Sequence, residues 1–283
     1  MGQIRAVLVD PEVPARLSLG KADEPALAPS EALVRVSAIS LNRGEVRRAQ
    51  TAEPGFNPGW DLAGTVEKSA ADGTGPQVGA RVVGFLASGA WAELTAVPTN
   101  SLAELPEGVS FTEAATLPVA GLTALYALEK GGSLLGRSVL VTGASGGAGH
   151  FAIQLACLSG ARVVALVRRE EHERLVREAG AHEIAIGEDA ESAGAFGPYH
   201  LILESVGGKI LGDVIGMLAP DGMCVSFGVS GGRRQRSTFG ASIPRAGRGC
   251  TALYSSTRCW PGRHPRVSRG SRAWLPRAGC ART

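Results

Sequence analysis

The chain has 283 residues, 44% hydrophobic and 19% charged, the proportions of a globular protein with a core rather than a disordered one. Five cysteines are too few for a small disulfide scaffold, and no uninterrupted apolar run of about 18 residues marks a membrane helix. The N-terminal stretch carries Asp10 and Glu12 without an apolar signal core, and Ala6 stands where a myristoylation motif needs Ser or Thr. A cytoplasmic location is expected. The net charge of +3 conceals a split, since residues 233–283 hold twelve arginines and no acid, a net of +12, against −9 for residues 1–232.

In chain order, the first hundred residues read as short strands divided by turns. Arg5–Val9, Glu31–Ile39, Asp61–Glu67, Ala80–Phe85 and Ala90–Val97 are apolar or alternating, with Gly, Pro and Asp between them. Together they predict a β-rich, barrel-like module. Residues 112–130 read as helix-rich, interrupted at Pro118 and Gly121. From Ser138 the pattern becomes strand, glycine loop, helix, strand: Ser138–Thr142, a helix over 149–159, Arg162–Val167, a charged helix over 170–178, then strands at Glu183–Ile186, Leu201–Glu204 and Met223–Phe227. That alternation predicts a parallel sheet with helices on both faces. The expected organisation is a β-rich domain over 1–115, a parallel-sheet α/β domain over 116–232 and a basic tail over 233–283. The tail shows no period of 2 or 3.6 and is expected to be disordered.

The chemistry-bearing segment is Val139-Leu140-Val141-Thr142-Gly143-Ala144-Ser145-Gly146-Gly147-Ala148-Gly149. Glycines between a strand and a helix allow a tight turn and close approach to a pyrophosphate, and the helix N-terminus offers free N–H groups. Gly143, Ser145, Gly146, Gly147, Ala148 and Gly149 are therefore candidate cofactor-binding residues. At the end of the next strand, where an NAD enzyme places an acid for the ribose diol, the chain reads Leu166-Val167-Arg168-Arg169. Two guanidiniums suit a 2′-phosphate, so NADPH is the expected cofactor, with Arg168 and Arg169 as its phosphate ligands.

Several ordered motifs resemble the zinc-independent medium-chain dehydrogenase/reductases, the quinone oxidoreductase-like enzymes: Val36–Glu45, Pro58–Val66, Leu117–Ala124 and Glu204–Gly208, together with the glycine loop. The resemblance implies an α/β fold, with a GroES-like substrate domain and a Rossmann doubly wound parallel sheet. It implies hydride transfer to an enone or quinone. It places Asn42 by the nicotinamide ribose or substrate carbonyl and Thr123 by the nicotinamide, and adds Ser205, Val206 and Gly228 to the cofactor site. By residue type alone, Asn42 reads equally well as a turn residue.

At the positions that hold zinc in the zinc branch, this chain has Asn42, Trp60 and Ala120 or its neighbours, and no Cys precedes Cys157. No metal site is expected. The five histidines form no i, i+3 or i+4 pair. Tyr126 and Lys130 match a short-chain-dehydrogenase pair but precede the glycine loop, the wrong order, and read as helix neighbours. The loop Gly44–Asn57 lacks the Tyr common in quinone reductases, and a Tyr expected near the adenine is Ile186.

The resemblance ends after Gly232, so the sheet reads as truncated after its fifth strand. A frame change in a GC-rich coding sequence accounts for the Arg-, Gly- and Pro-rich remainder, in keeping with 25 Arg against four Lys. The missing sixth strand would remove the edge on which the family's homodimer forms. The main reading is an NADPH-dependent reductase acting on a small molecule. The alternatives are a non-catalytic NADPH-binding member, and nucleic-acid association through the basic tail, for which interleaved aromatics are too sparse.

Overall fold

The computed structural model describes residues 2–231 and the strand Gly249–Ala252. Strand β1 (Gln3–Val9) pairs antiparallel with β2 (Leu17–Asp23). Strand β3 (Glu31–Ile39), helix α1 (Arg43–Ala49), β4 (Asp61–Lys68), β5 (Arg81–Phe85), β6 (Leu94–Pro98) and β7 (Leu102–Glu104) follow. The strands β3 to β7 form one antiparallel sheet in the order β6-β3-β4-β5-β7. Its inner face buries Val34, Leu62, Val66, Val82 and Val97 with Trp91, the every-other-residue placement that a half-buried strand imposes.

A short helix α2 (Phe111–Ala114) opens on a capping box, in which Ser110 Oγ accepts from Glu113 N while the Glu113 carboxylate accepts from Ser110 N at 3.0 Å. A wide π-type turn at Leu117–Gly121 leads into α3 (Leu122–Glu129). This widening is where Pro118 and Gly121 interrupt the helix in the sequence.

The second sheet is parallel. It comprises β8 (Ser138–Thr142), β9 (Arg162–Val167), β10 (Glu183–Ile186), β11 (Tyr199–Glu204), β12 (Leu218–Ser226) and β13 (Gly249–Ala252), in the order β10-β9-β8-β11-β12-β13. In strand sequence this is the 3-2-1-4-5-6 order of a dinucleotide-binding sheet. Helices α4 (Gly147–Leu158), α5 (Glu173–Glu178), α6 (Glu191–Gly194) and α7 (Gly208–Ile215) connect the strands from β8 to β12. Both faces are covered, as a parallel sheet requires. Val139, Val141, Val163, Leu201 and Leu203 pack on one side with Ala152 and Ile153 of α4. Leu140, Val164, Ile202 and Cys224 pack on the other with Ile210 and Val214 of α7.

Three features differ from the sequence expectation. Residues 43–49, read as loop, form α1, because the Glu45 carboxylate reaches back to the Asn42 N–H and caps the first turn. Strand β2 gives little pattern to read because Gly20 and Lys21 break its short apolar alternation, and it is held by pairing with β1. The sheet does not stop at its fifth strand: Gly249–Ala252 runs parallel to β12 with Met223 opposite Gly249 and Ser226 opposite Ala252. An unpaired edge exposes a row of backbone donors and acceptors, and the Pro-free stretch 249–252 supplies partners for them. The expectation of a disordered tail otherwise falls on residues outside those described, as does the frame-change reading.

Candidate active site

The glycine loop leaves β8 at Thr142 and enters α4 at Gly147. Gly143 O accepts from Gly146 N at 2.9 Å, closing the turn. A Cβ on Gly149 would lie 2.5 Å from Gly143 O and 2.8 Å from Ala144 Cα. The helix can therefore press against the loop only with glycine there. Gly146 and Gly147 are exposed, while Ser145 and Ala148 are half-buried. The first N–H groups of α4 have no intrahelical acceptor.

Next to this loop lie the turns after β11 and β12. Ser205 N donates to Thr142 Oγ1 at 3.0 Å, and Ser205 Oγ donates to Thr142 O at 3.1 Å. Ser230 Oγ donates to Ser205 O at 2.9 Å, Gly231 N donates to Val206 O at 2.8 Å, and Gly228 rests on the Ser205 backbone. Ser205, Val206 and Gly228 thus share one surface with the glycine loop. Beneath it the fully buried Glu204 carboxylate accepts from Val206 N and Gly207 N, both at 2.7 Å, and from Ser226 Oγ at 3.2 Å. One side chain ties together the C-terminal ends of two strands.

Arg168 and Arg169 follow β9 directly, at the same end of the sheet, and both are exposed. Their surroundings differ. Arg169 pairs with Glu171 at 2.8 Å, whereas Arg168 has no hydrogen bond or ion pair among the described residues.

On the substrate-domain side, Asn42 is the N-cap residue of α1. Its Nδ2 donates to Asp61 Oδ2 at 2.7 Å. The other Asp61 oxygen accepts from Val119 N at 2.9 Å, in the turn that precedes Thr123. Glu45 accepts from Asn42 N at 2.5 Å and from Trp60 N at 2.6 Å. Glu45 and Asp61 are both buried and neither has a cationic partner among the described residues. Burial pushes the Glu45 carboxyl above its ordinary value against the opposing pull of the Asn42 and Trp60 N–H groups. Burial likewise pushes Asp61 up, opposed by Asn42, Val119 and Ser40. The Trp60 indole covers Gly44 so closely that no Cβ fits between them.

The turn and site readings of Asn42 are therefore compatible, since it caps a helix and also enters a side-chain network. Thr123 is half-buried in the first turn of α3. Sequence reasoning singled out Asn42 but not Glu45 or Asp61, although Asn-x-x-Glu has the spacing of a capping box. Cys157 lies against the same core as Ile153 and donates its thiol to Gly180 O at 2.9 Å.

Residues 28–107 match the alcohol dehydrogenase GroES-like domain and residues 147–259 match the zinc-binding dehydrogenase domain. The second match runs past Gly232, where the motif resemblance stops. The quinone oxidoreductase of Rattus norvegicus is 32% identical over 252 residues, spanning 83% of this chain and 75% of that protein. The synaptic vesicle membrane protein VAT-1 homolog of Danio rerio is 31% identical over 221 residues, of which this chain spans only 46% of the relative's length. Among solved structures, the quinone oxidoreductase of Pseudomonas syringae pv. Tomato DC3000 superimposes with a TM-score of 0.79 at 26% identity, covering 88% of this chain and 81% of the other. The chain belongs to the quinone-oxidoreductase-like medium-chain dehydrogenase/reductases.

Proposed function

We propose that the protein is an NADPH-dependent oxidoreductase that reduces an enone or quinone without a metal ion. The observation that carries this reading is the glycine loop with Arg168, which has no partner among the described residues, at the end of the adjacent strand. The loop accommodates a pyrophosphate because Gly149 leaves no Cβ in the way, and α4 supplies N–H groups for it. Gly143, Ser145, Gly146, Gly147 and Ala148 would hold the pyrophosphate, Ser205, Val206 and Gly228 the neighbouring part of the nucleotide, and Arg168 the 2′-phosphate. Arg169 is a weaker candidate because Glu171 already occupies it.

NADPH, when bound, supplies the hydride that adds to the β-carbon of an enone or to a quinone. The chain's contribution is orientation and a polar surround. Asn42 would contact the ribose or the substrate carbonyl, and Thr123 would line the nicotinamide side. Zinc does not fit the residues present: a carboxamide, an indole and a methyl group stand at the three ligand positions, Asn42, Trp60 and Ala120. Zinc needs thiolate, imidazole or carboxylate donors. The required proton then comes from water. No helix among the described residues is long and apolar enough to cross a membrane, in keeping with a small-molecule substrate reached from solution.

The test is NADPH oxidation monitored with a panel of quinones and α,β-unsaturated ketones, before and after chelation. The expected result is acceptor-dependent oxidation, unchanged by chelator and slower with NADH. Nucleotide binding without oxidation of any acceptor would instead support the non-catalytic reading. Activity lost on chelation and restored by zinc would overturn the metal-free reading.

A further inference from the structure

Strand β9 ends beside the glycine loop. Leu166 lies opposite Thr142 in the sheet, and Ala144 N donates to Leu166 O at 3.3 Å. The chain leaves the strand through Arg168 and Arg169 and turns at once, with His172 N donating to Arg169 O at 3.1 Å. That turn folds the Glu171 carboxylate back onto the arginine two residues before it, and Arg169 Nη1 donates to Glu171 Oε1 at 2.8 Å. His172 Nε2 lies 3.8 Å from the same oxygen. The hydrogen bond from Arg169 and its positive charge hold the Glu171 carboxyl below its ordinary value, so it is ionised at neutral pH. The two side chains are 62% and 61% exposed, which makes the pair exchangeable rather than locked, since water competes for both partners.

From this geometry we infer that Glu171 is a specificity-determining residue: its carboxylate competes with the 2′-phosphate of NADPH for Arg169 and so sets how far NADPH is preferred over NADH. The inference rests on the proposed reading of the nucleotide site. A guanidinium offers a planar fork of donors that suits a carboxylate and a phosphate alike, so a fork held by one must be released to serve the other. The same carboxylate repels the phosphate by charge. Neither penalty falls on NADH, which carries a hydroxyl at that position. An NAD enzyme places an acid at the strand end itself; here the acid stands in the turn just beyond, where it reaches Arg169. Arg168 has no partner among the described residues and remains the standing contact, while Glu171 governs whether a second guanidinium joins it.

Glu171→Gln removes the charge and keeps the shape of the side chain. Fluorescence titration should show NADPH binding about three- to fivefold tighter than to the parent, with NADH within about twofold, the scale of one exposed ion pair. Two further variants separate this from the loss of any negative charge. Glu170→Gln removes the same charge one residue away, from a carboxylate with no bond to Arg169 among the described residues, and should leave both affinities within about twofold. Adding Arg169→Ala to Glu171→Gln should abolish the gain. All three side chains are exposed, so the variants keep the fold. Unchanged NADPH affinity in Glu171→Gln would overturn the inference, as would an equal gain from Glu170→Gln or a gain that survives Arg169→Ala. The NADPH reading fails separately. A parent that binds NADH as tightly as NADPH, with Glu171→Gln gaining NADPH alone, ends the parent's preference and keeps the inference. A parent that prefers NADPH by the same ratio as Glu171→Gln keeps the preference and ends the inference.

Discussion

The Arg47 guanidinium donates to the Val229 carbonyl at 2.8 Å, linking helix α1 to the loop that follows β12. Arg47 carries no ion pair among the described residues, and its partner is a neutral carbonyl on the loop that also covers Ser205 and Val206. This bond therefore ties the helix that Asn42 caps to the turns beside the glycine loop. Arg47→Ala should raise the KM for nucleotide several-fold while costing only about 1 kcal/mol of stability, the worth of one exposed hydrogen bond. A thermal melt alongside steady-state kinetics checks it. A large drop in Tm with unchanged KM would make the contact purely structural.

The two arginines after β9 should behave differently on substitution. Arg168→Ala should weaken NADPH by about tenfold, near the worth of one charge-assisted hydrogen bond, and leave NADH almost unaffected. Arg169→Ala should do much less, because its guanidinium is already engaged by Glu171. Titration of both nucleotides by fluorescence separates the two. Equal weakening of NADPH and NADH by Arg168→Ala would remove the 2′-phosphate contact from the account.

Gly149→Ala should be severe for its size. The added methyl would meet Gly143 O at 2.5 Å and Ala144 Cα at 2.8 Å, both backbone, so the loop or α4 must shift. The cost expected of overpacking is about 1–3 kcal/mol, and nucleotide binding should fall further than stability does. Gly212→Ala is the control, since its Cβ would meet nothing within 4 Å and alanine favours a helix. Comparable losses in both variants would contradict the packing argument.

The buried carboxyls carry a definite sign in pH. Burial holds Glu45 and Asp61 above their ordinary values, so the folded protein binds more protons than the unfolded chain across that interval. The stability they contribute is fully present below the unfolded pKa, about 4, and is lost as pH rises through the folded values. The stability advantage of the parent over Asp61→Asn should therefore shrink as pH rises from about 4 towards neutrality. Denaturant melts at several pH values measure this. An advantage that grew with pH would mean that the hydrogen bonds outweigh burial and the shift is downward.

Much of the parallel-sheet half was legible because its signals are local. Strand Glu183–Ile186 and the glycine loop are contiguous stretches whose residue types set backbone conformation directly, and the two arginines follow their strand without a gap. The short helix α1 and the strand β2 were not legible. The first depends on a side-chain cap and the second on a neighbour, and neither has an apolar period to read. The sixth strand was not legible either, because Gly249–Ala252 has no strand pattern of its own and gains its conformation from the edge of β12.

What the sequence by itself determined is the family and the fold class, through a glycine loop between a strand and a helix and a regular alternation of strands and helices. The tertiary structure decided which of the candidate residues are available and which partners they take. It engaged Arg169 and left Arg168 without a described partner. It set Asn42 on Asp61, 19 residues away, and Asp61 on Val119, 58 residues away. The physical reason is that a composition or motif reports which hydrogen-bonding groups exist, whereas their direction is fixed only when burial denies them water and forces each to find a partner across the fold.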